Sequence, residues 1–295
     1  MTKSINDIAN DPTPNGIRTE MPRHEYDAVC RLNMSSISEG FLDHEEVDPL
    51  AIKDRFEAKP EFVSQTTKDF RDKGTLAHMM LLQPERIAHD VAIWKGGDRR
   101  GSDWQKFLAD NPSRLVVRQC DFDEVSEACK QFRFNPRLLQ LLSDIDVEVA
   151  VFSQHHGIKT KGLIDAVTRG EFCRIIDLKT TWTGKLTERD CNISIRNFHN
   201  REKLAAYSTW YAKESGRRVE RCLNVFLMMR PTYRIRIMEF PDYAIEWGLM
   251  RTSFAIKKVA DCLDRKKWPI FCGSGLVDVA QFEMPHEEDD QVDYT

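Results

Sequence analysis

No stretch of this 295-residue chain approaches the roughly 18 uninterrupted apolar residues that a membrane span needs. The N-terminus has no basic region followed by an apolar run, so no secretion signal is read there. Paired cysteines are missing too. The eight cysteines, at 30, 120, 129, 173, 191, 222, 262 and 272, form no CxxC, and several sit in apolar runs such as Phe172-Cys173-Arg174-Ile175. That is the pattern of reduced, partly buried thiols in a cytosolic protein, and it argues against a disulfide framework or a zinc ribbon. It argues equally against an iron–sulfur cluster, which needs four convergent thiolates. A basic excess is lacking: 43 Lys and Arg against 47 Asp and Glu leave a net charge of −4, where nucleic-acid enzymes often run basic. Binding depends on where positive charge is placed, and the acids are unevenly spread, since the last ten residues hold five acids and no Lys or Arg. Neither an HExxH nor a P-loop pattern occurs.

What is present reads as a soluble globular chain, 41% hydrophobic and 31% charged, able to bury a sizeable core. Residues 1–22 are polar, carry Pro12, Pro14 and Pro22, and are expected to form a mobile arm. With no internal repeat or long linker, 23–280 is read as one domain: a helical front part, 23–145, and a core, 146–280. An acidic, solubilising tail follows over 281–295. Helices are expected over 66–83, stopped by Pro84, and over 121–142, with Pro136 as a break. Strands are expected at 147–152, 158–167 and 172–180, joined by turns at His155-His156-Gly157 and Arg169-Gly170-Glu171. Such short connections favour an antiparallel meander. A helix over 198–214, strands at 222–229 and 233–240 and a last helix over 243–265 complete an α+β arrangement whose central sheet would carry any site.

Three of those strands each place an acid in apolar company. In Ile175-Ile176-Asp177-Leu178-Lys179 the side chains of Asp177 and Lys179 share one face, and both are costly to bury unpaired. Asp165 interrupts Leu163-Ile164-Asp165-Ala166-Val167, with eleven residues between it and Asp177, a separation suited to a hairpin that sets the two side by side. Glu148 sits between Val147 and Val149 one strand earlier. A structural ion pair or a wet edge strand would explain Asp177 and Lys179 alone, but not three acids on neighbouring strands. Two carboxylates about 4 Å apart repel by roughly 4 kcal/mol at an effective dielectric near 20, so an ionised cluster calls for a cation. Oxygen ligands suit Mg2+ or Mn2+. The lysine can then hold or deprotonate an attacking water, or offset transition-state charge. Metal-assisted phosphodiester hydrolysis needs these parts.

The same residues resemble the PD-(D/E)xK nuclease motif. More specifically, Gly74-Thr75-Leu76-Ala77-His78 with Leu82-Gln83-Pro84-Glu85-Arg86 resembles the GTxxH…LxPER helix of RecE-type exodeoxyribonucleases of phages and prophages. Ile176-Asp177-Leu178-Lys179-Thr180-Thr181 resembles their (V/I)DLKTT strand, Ala205-Ala206-Tyr207-Ser208 with Tyr211 the helix after it, and Trp268-Pro269 their C-terminal WP. Asn33-Met34-Ser35-Ser36-Ile37 is a weaker echo of their serine-rich start.

The resemblance spans about residues 26–270. It implies a restriction-endonuclease-like core with a central mixed sheet flanked by helices. The implied activity is 5′→3′ digestion of linear double-stranded DNA, leaving 3′ tails for a single-strand annealing partner. It further implies a homo-oligomeric ring that threads the duplex, in the cytoplasm of a bacterial host. Carried over, Asp165, Asp177 and the Leu178 carbonyl would hold the metal with His78 as a further ligand, Glu148 would support metal or water, and Lys179 the nucleophile. The chain departs from the family on one helix: Lys203 stands where a glutamine is usual, and Arg201 where a histidine is. Lys203, with Arg201 and Tyr207, is expected on DNA, a cationic Lys203 being able to grip a phosphate; an ordinary solvated face is the competing reading for 201–203. Trp104 is expected in a surface loop, and Trp182 either in the core or stacked on a base. Two other functions compete: a PD-(D/E)xK endonuclease or single-strand nuclease of repair or defence, and a DNA-binding protein of this fold without activity.

Overall fold

The computed structural model of the chain describes residues 3–19, 21–42, 46–58 and 64–270. The acidic tail at 281–295 and the end of the expected domain, 271–280, lie outside the described residues. The expected mobile arm is folded where it is described. Ser4 caps a 3-10 turn over Ile5–Asn10 through a capping box with Asp7, and Ile5 and Ile8 are buried. Strand β1 (Gly16–Arg18) then pairs antiparallel with residues 150–152. The polar composition misled because two isoleucines decide it, each gaining about 1.5–3 kcal/mol by burial.

Short elements follow: α1 (Arg23–Ala28), β2 (Leu32–Asn33), α2 (Met34–Ile37) and α3 (Pro49–Glu57). Helix α4 (Gln65–Leu82) starts at the Ser64 cap, whose side chain accepts from Thr67 N, and stops before Pro84. Next come α5 (Ile87–Asp90) and a two-stranded parallel sheet of β3 (Val91–Trp94) and β4 (Leu115–Arg118), with α6 (Ser102–Asp110) between them. Trp104 therefore lies on a helix and not in a loop, its ring centroid 5.4 Å from that of Trp94. The stretch expected as one broken helix is α7 (Gln119–Arg133) and α8 (Pro136–Leu141), the second capped by Asn135 with Pro136 in its first turn.

The central sheet is built on β5 (Ile145–His155), β6 (Ile158–Thr168) and β7 (Phe172–Thr181), an antiparallel meander. Helices α9 (Glu188–Asn197) and α10 (Asn200–Ser215) carry the chain over so that β8 (Arg218–Met228) returns parallel to β7. Strand β9 (Ile235–Glu239) pairs antiparallel at the edge, and α11 (Asp242–Arg265) closes the fold. The sheet order is β1-β5-β6-β7-β8-β9, with β2 on β6. This is an α+β fold with a central mixed sheet flanked by helices. One core packs Leu204, Ala206 and Trp210 of α10 and Ile256 of α11 against Val149, Ile164 and Ile175. The other packs Leu76 and Ala77 of α4 and Val125 and Phe132 of α7 against Ile176, Leu178 and Val225. Strand alternation then puts Asp177, between Ile176 and Leu178, on the α10 side. The described cysteines are free, five of them buried. No described helix is long and apolar enough to cross a membrane.

Candidate active site

The meander delivers Glu148 and Asp165 to one place. Val147 pairs with Ala166 and Val149 with Ile164, which leaves Glu148 opposite Asp165. Glu148 has φ +48°, a left-handed conformation that costs a non-glycine residue of order 1–3 kcal/mol and is held only where the surroundings enforce it. On the other side of Asp165 the registered β6–β7 pairing stops at Ala166↔Ile176. Beyond that point the Asp165 carboxylate replaces the ladder, accepting from Leu178 N at 2.7 Å.

Helix α4 brings the third group. Its residues Thr67, Phe70, Arg71, Gly74, Thr75, His78 and Met79 line the same cleft, the i, i+3, i+4 spacing of one helical face. Gly74 lets that face approach β7: a Cβ there would lie 3.2 Å from Thr180 Oγ1. His78 Nδ1 is 3.7 Å from Asp165 Oδ2, and one ligand atom each from His78, Glu148 and Asp165 lie within 4.8 Å of one another. Burial, then the neighbouring Asp165 charge, pushes the Glu148 carboxyl up to about 7. Among the described residues no Lys or Arg forms an ion pair with Glu148 or Asp165.

Asp177 has the opposite surroundings. It is buried, with Lys179 Nζ at 2.5 Å, Lys203 Nζ at 2.7 Å and Asn224 Nδ2 at 2.8 Å. Burial works against ionisation, but the charges of Lys179 and Lys203 and their hydrogen bonds hold the carboxyl below the ordinary range. Asp177, expected among the metal ligands, thus stands outside the His78, Glu148, Asp165 group, saturated by protein donors. Leu178 enters the site through its N–H on Asp165.

Of the three residues expected on DNA, Lys203 and Tyr207 line the cleft, while Arg201 lies over the Trp247 ring at 3.5 Å. Lys203 is occupied by Asp177, which holds its ammonium well above the usual lysine range despite burial. The Tyr207 ring fills the space above Gly162, where a Cβ would meet it at 2.6 Å. The solvated face considered for 201–203 does not exist: Glu202 is buried and accepts from Arg251 Nη1 at 3.1 Å. Asn224 was missed, although it breaks the apolar run Cys222–Met229 as each acid breaks its own strand, and its register partner is Asp177.

The cleft has a volume of about 2350 Å³, more than twice the largest of the roughly 300–1,000 Å³ pockets that take small molecules. Basic side chains from several elements face it: Arg23, Arg71, Arg86, Lys161, Lys179 and Lys203, with as many acids among them. The space is large enough for a polymer.

No protein-family model and no curated protein matches the sequence. Among solved structures, the crystal structure of a "Putative exonuclease" from Eubacterium rectale superposes with a TM-score of 0.57 at 12% identity, over 91% of this chain and 95% of its own. The likeness is one of fold. A second structure, of SSO0001, aligns at a TM-score of 0.25 and 14% identity over 66% of this chain and 88% of its own, and bears on nothing here.

Proposed function

We propose that this chain is a metal-dependent deoxyribonuclease with a PD-(D/E)xK-type site, acting as a 5′→3′ exonuclease on linear double-stranded DNA. The observation that carries this reading is the juxtaposition, at one polymer-sized cleft, of an acid group that lines it and a buried acid, Asp177, whose lysine partners line it. His78, Glu148 and Asp165 converge with no Lys or Arg ion-paired to either carboxylate among the described residues, and Asp177 is tied to Lys179. Two carboxylates and one imidazole fit a hard divalent cation such as Mg2+ or Mn2+; the Glu148 carboxyl is raised first by burial and then by the Asp165 charge beside it. A cation held there would supply Lewis acidity toward the scissile phosphate. Lys179 is placed to orient the attacking water or to offset charge on the phosphate, and Asp177 fixes the lysine's position. The fold shared with a structure described as a "Putative exonuclease" supports the same reading.

The finer claims rest on the resemblance of Gly74–His78, Leu82–Arg86 and Ile176–Thr181 to RecE-type enzymes. They are 3′ single-stranded tails as product, a homo-oligomeric ring, a single-strand annealing partner and a phage or prophage origin in a bacterial cytoplasm. The test uses Mg2+ and two DNAs of one sequence, a linear duplex labelled on either end and a covalently closed circle. Loss of the linear DNA from its 5′ ends with the circle intact, and no loss with Asp177→Ala, is the expected result. Cutting of the circle would replace the exonuclease by an endonuclease. DNA binding without cleavage in Mg2+ or Mn2+ would replace the enzyme by a binding protein.

A further inference from the structure

The cleft-facing side of α4 carries, besides His78, a large apolar side chain that the proposed chemistry does not use. Phe70 is 47% exposed, and it lines the cleft together with Trp182, the residue that follows β7. The two ring centroids are 5.9 Å apart with planes tilted by 56°, so Trp182 fixes the Phe70 ring from one side and leaves the other open. Lys73 Nζ lies 5.7 Å from the Trp182 ring centroid, a second constraint on the indole. Among the described residues the indole N–H has no acceptor. A half-exposed phenylalanine held by a tryptophan within this cleft is a surface for a flat apolar partner.

Its distance from the cation-binding group identifies that partner. Phe70 and His78 are eight residues apart on one helical face, about 12 Å along the axis at roughly 1.5 Å per residue. A nucleic-acid strand advances roughly 3.4 Å per nucleotide, so the ring lies about three to four nucleotides from a phosphate at His78, Glu148 and Asp165. Arg71 and Thr67, neighbours of Phe70 on the cleft-lining face, offer a cation and a hydroxyl beside the ring. We propose that Phe70, backed by Trp182, is a stacking platform for an unpaired nucleobase of the strand whose phosphate occupies the cation-binding group. The proposal rests on the nuclease reading and adds the group that grips the strand end. Stacking on one aromatic side chain contributes about tenfold in affinity and tolerates any base, because every base has a π-face.

The test is equilibrium binding of the full chain, in EDTA, to a fluorescent DNA hairpin with a four-nucleotide single-stranded extension. The extension is either thymidines or abasic sugars with the same phosphates. Wild type is expected to bind the thymidine extension about tenfold more tightly. Phe70→Ala is expected to reduce that preference to less than about threefold while leaving the abasic affinity unchanged, and Phe70→Tyr to retain it. Equal affinity of wild type for both extensions, or an undiminished preference in Phe70→Ala, overturns the platform and leaves DNA binding standing. Failure of wild type to bind either hairpin overturns the platform together with the nuclease reading.

Discussion

Lys203, on α10, donates to the buried carboxylate of Asp177, on β7, at 2.7 Å. That bond ties the helix packed over the sheet to the strand that carries the candidate active site, and it does so with a cation where the resembled family usually has a glutamine. Lys203→Met leaves Asp177 with Lys179 and Asn224 only, and is expected to lower stability to chemical denaturation by about 1–3 kcal/mol. Lys203→Gln keeps a donor and should cost less. Equal losses for the two variants would mean that the side chain's apolar stem, and not its bond to Asp177, is what matters.

Glu148 sets a pH dependence of opposite sign to that of an ordinary salt-bridged acid. Its folded value, about 7, lies above the ordinary glutamate value of 4.5, so between those limits the native state binds more protons than the unfolded state. Stability from this group is full below about 4.5 and is lost as pH rises through about 7. Glu148→Gln removes the loss, so metal-free variant and wild type should diverge in unfolding free energy from pH 5 to pH 8, by about 1–3 kcal/mol. A constant difference across that range would show that Glu148 titrates normally.

Divalent-cation binding should follow the same titration, since the ligands bind in their deprotonated forms. Mn2+ affinity measured by calorimetry is expected to rise between pH 6 and pH 8 in wild type. Asp165→Asn, which can still accept from Leu178 N, should lower it by more than about 100-fold. An unchanged affinity would remove His78, Glu148 and Asp165 as the binding group.

Glu202 anchors α10 to α11 through Arg251, at 3.1 Å between two buried side chains. Truncating one member of a buried pair costs about 3–5 kcal/mol, so Glu202→Ala is expected to be among the most destabilising substitutions in urea. Glu202→Gln should recover part of that. A cost below about 1 kcal/mol would place the pair with ordinary surface ion pairs.

Gly162 is where Tyr207 of α10 lies against β6. An added methyl would come within 2.6 Å of the ring, and overpacking of this kind costs about 1–3 kcal/mol. Gly162→Ala is expected to show that cost in its denaturation midpoint, and Tyr207→Leu in the same chain to relieve it. No loss in the single variant would mean that the ring moves freely.

The sheet was legible because each strand of the meander is an alternating apolar run closed by a turn, and the acids were legible because they break those runs. Asn224 breaks a run in the same way but carries no charge, and only the parallel register of β7 with β8 shows that it faces Asp177. Helix α9 left a mark that was not used: Thr187 and Asp190 form a capping box. The sheet of β3 and β4 was hidden because its strands have four residues each, too short for a period to show. That Glu148, Asp165 and Asp177 lie on neighbouring strands was legible, but how each of them is paired was not. Strand alternation puts Asp177 and Lys179 on one face, but which carboxylate Lys203 reaches depends on how α10 crosses the sheet, and no local pattern encodes that. His78 could be placed on a helix, while its approach to Asp165 depends on Gly74 letting α4 settle on Thr180.

The most direct test of the central claim is hydrolysis of a labelled linear duplex by wild type and Asp165→Asn at matched thermal stability, with Mg2+ and with EDTA. The account predicts cleavage by wild type in Mg2+ alone and none by Asp165→Asn under either condition. Cleavage by Asp165→Asn at the wild-type rate, or by wild type in EDTA, would contradict it.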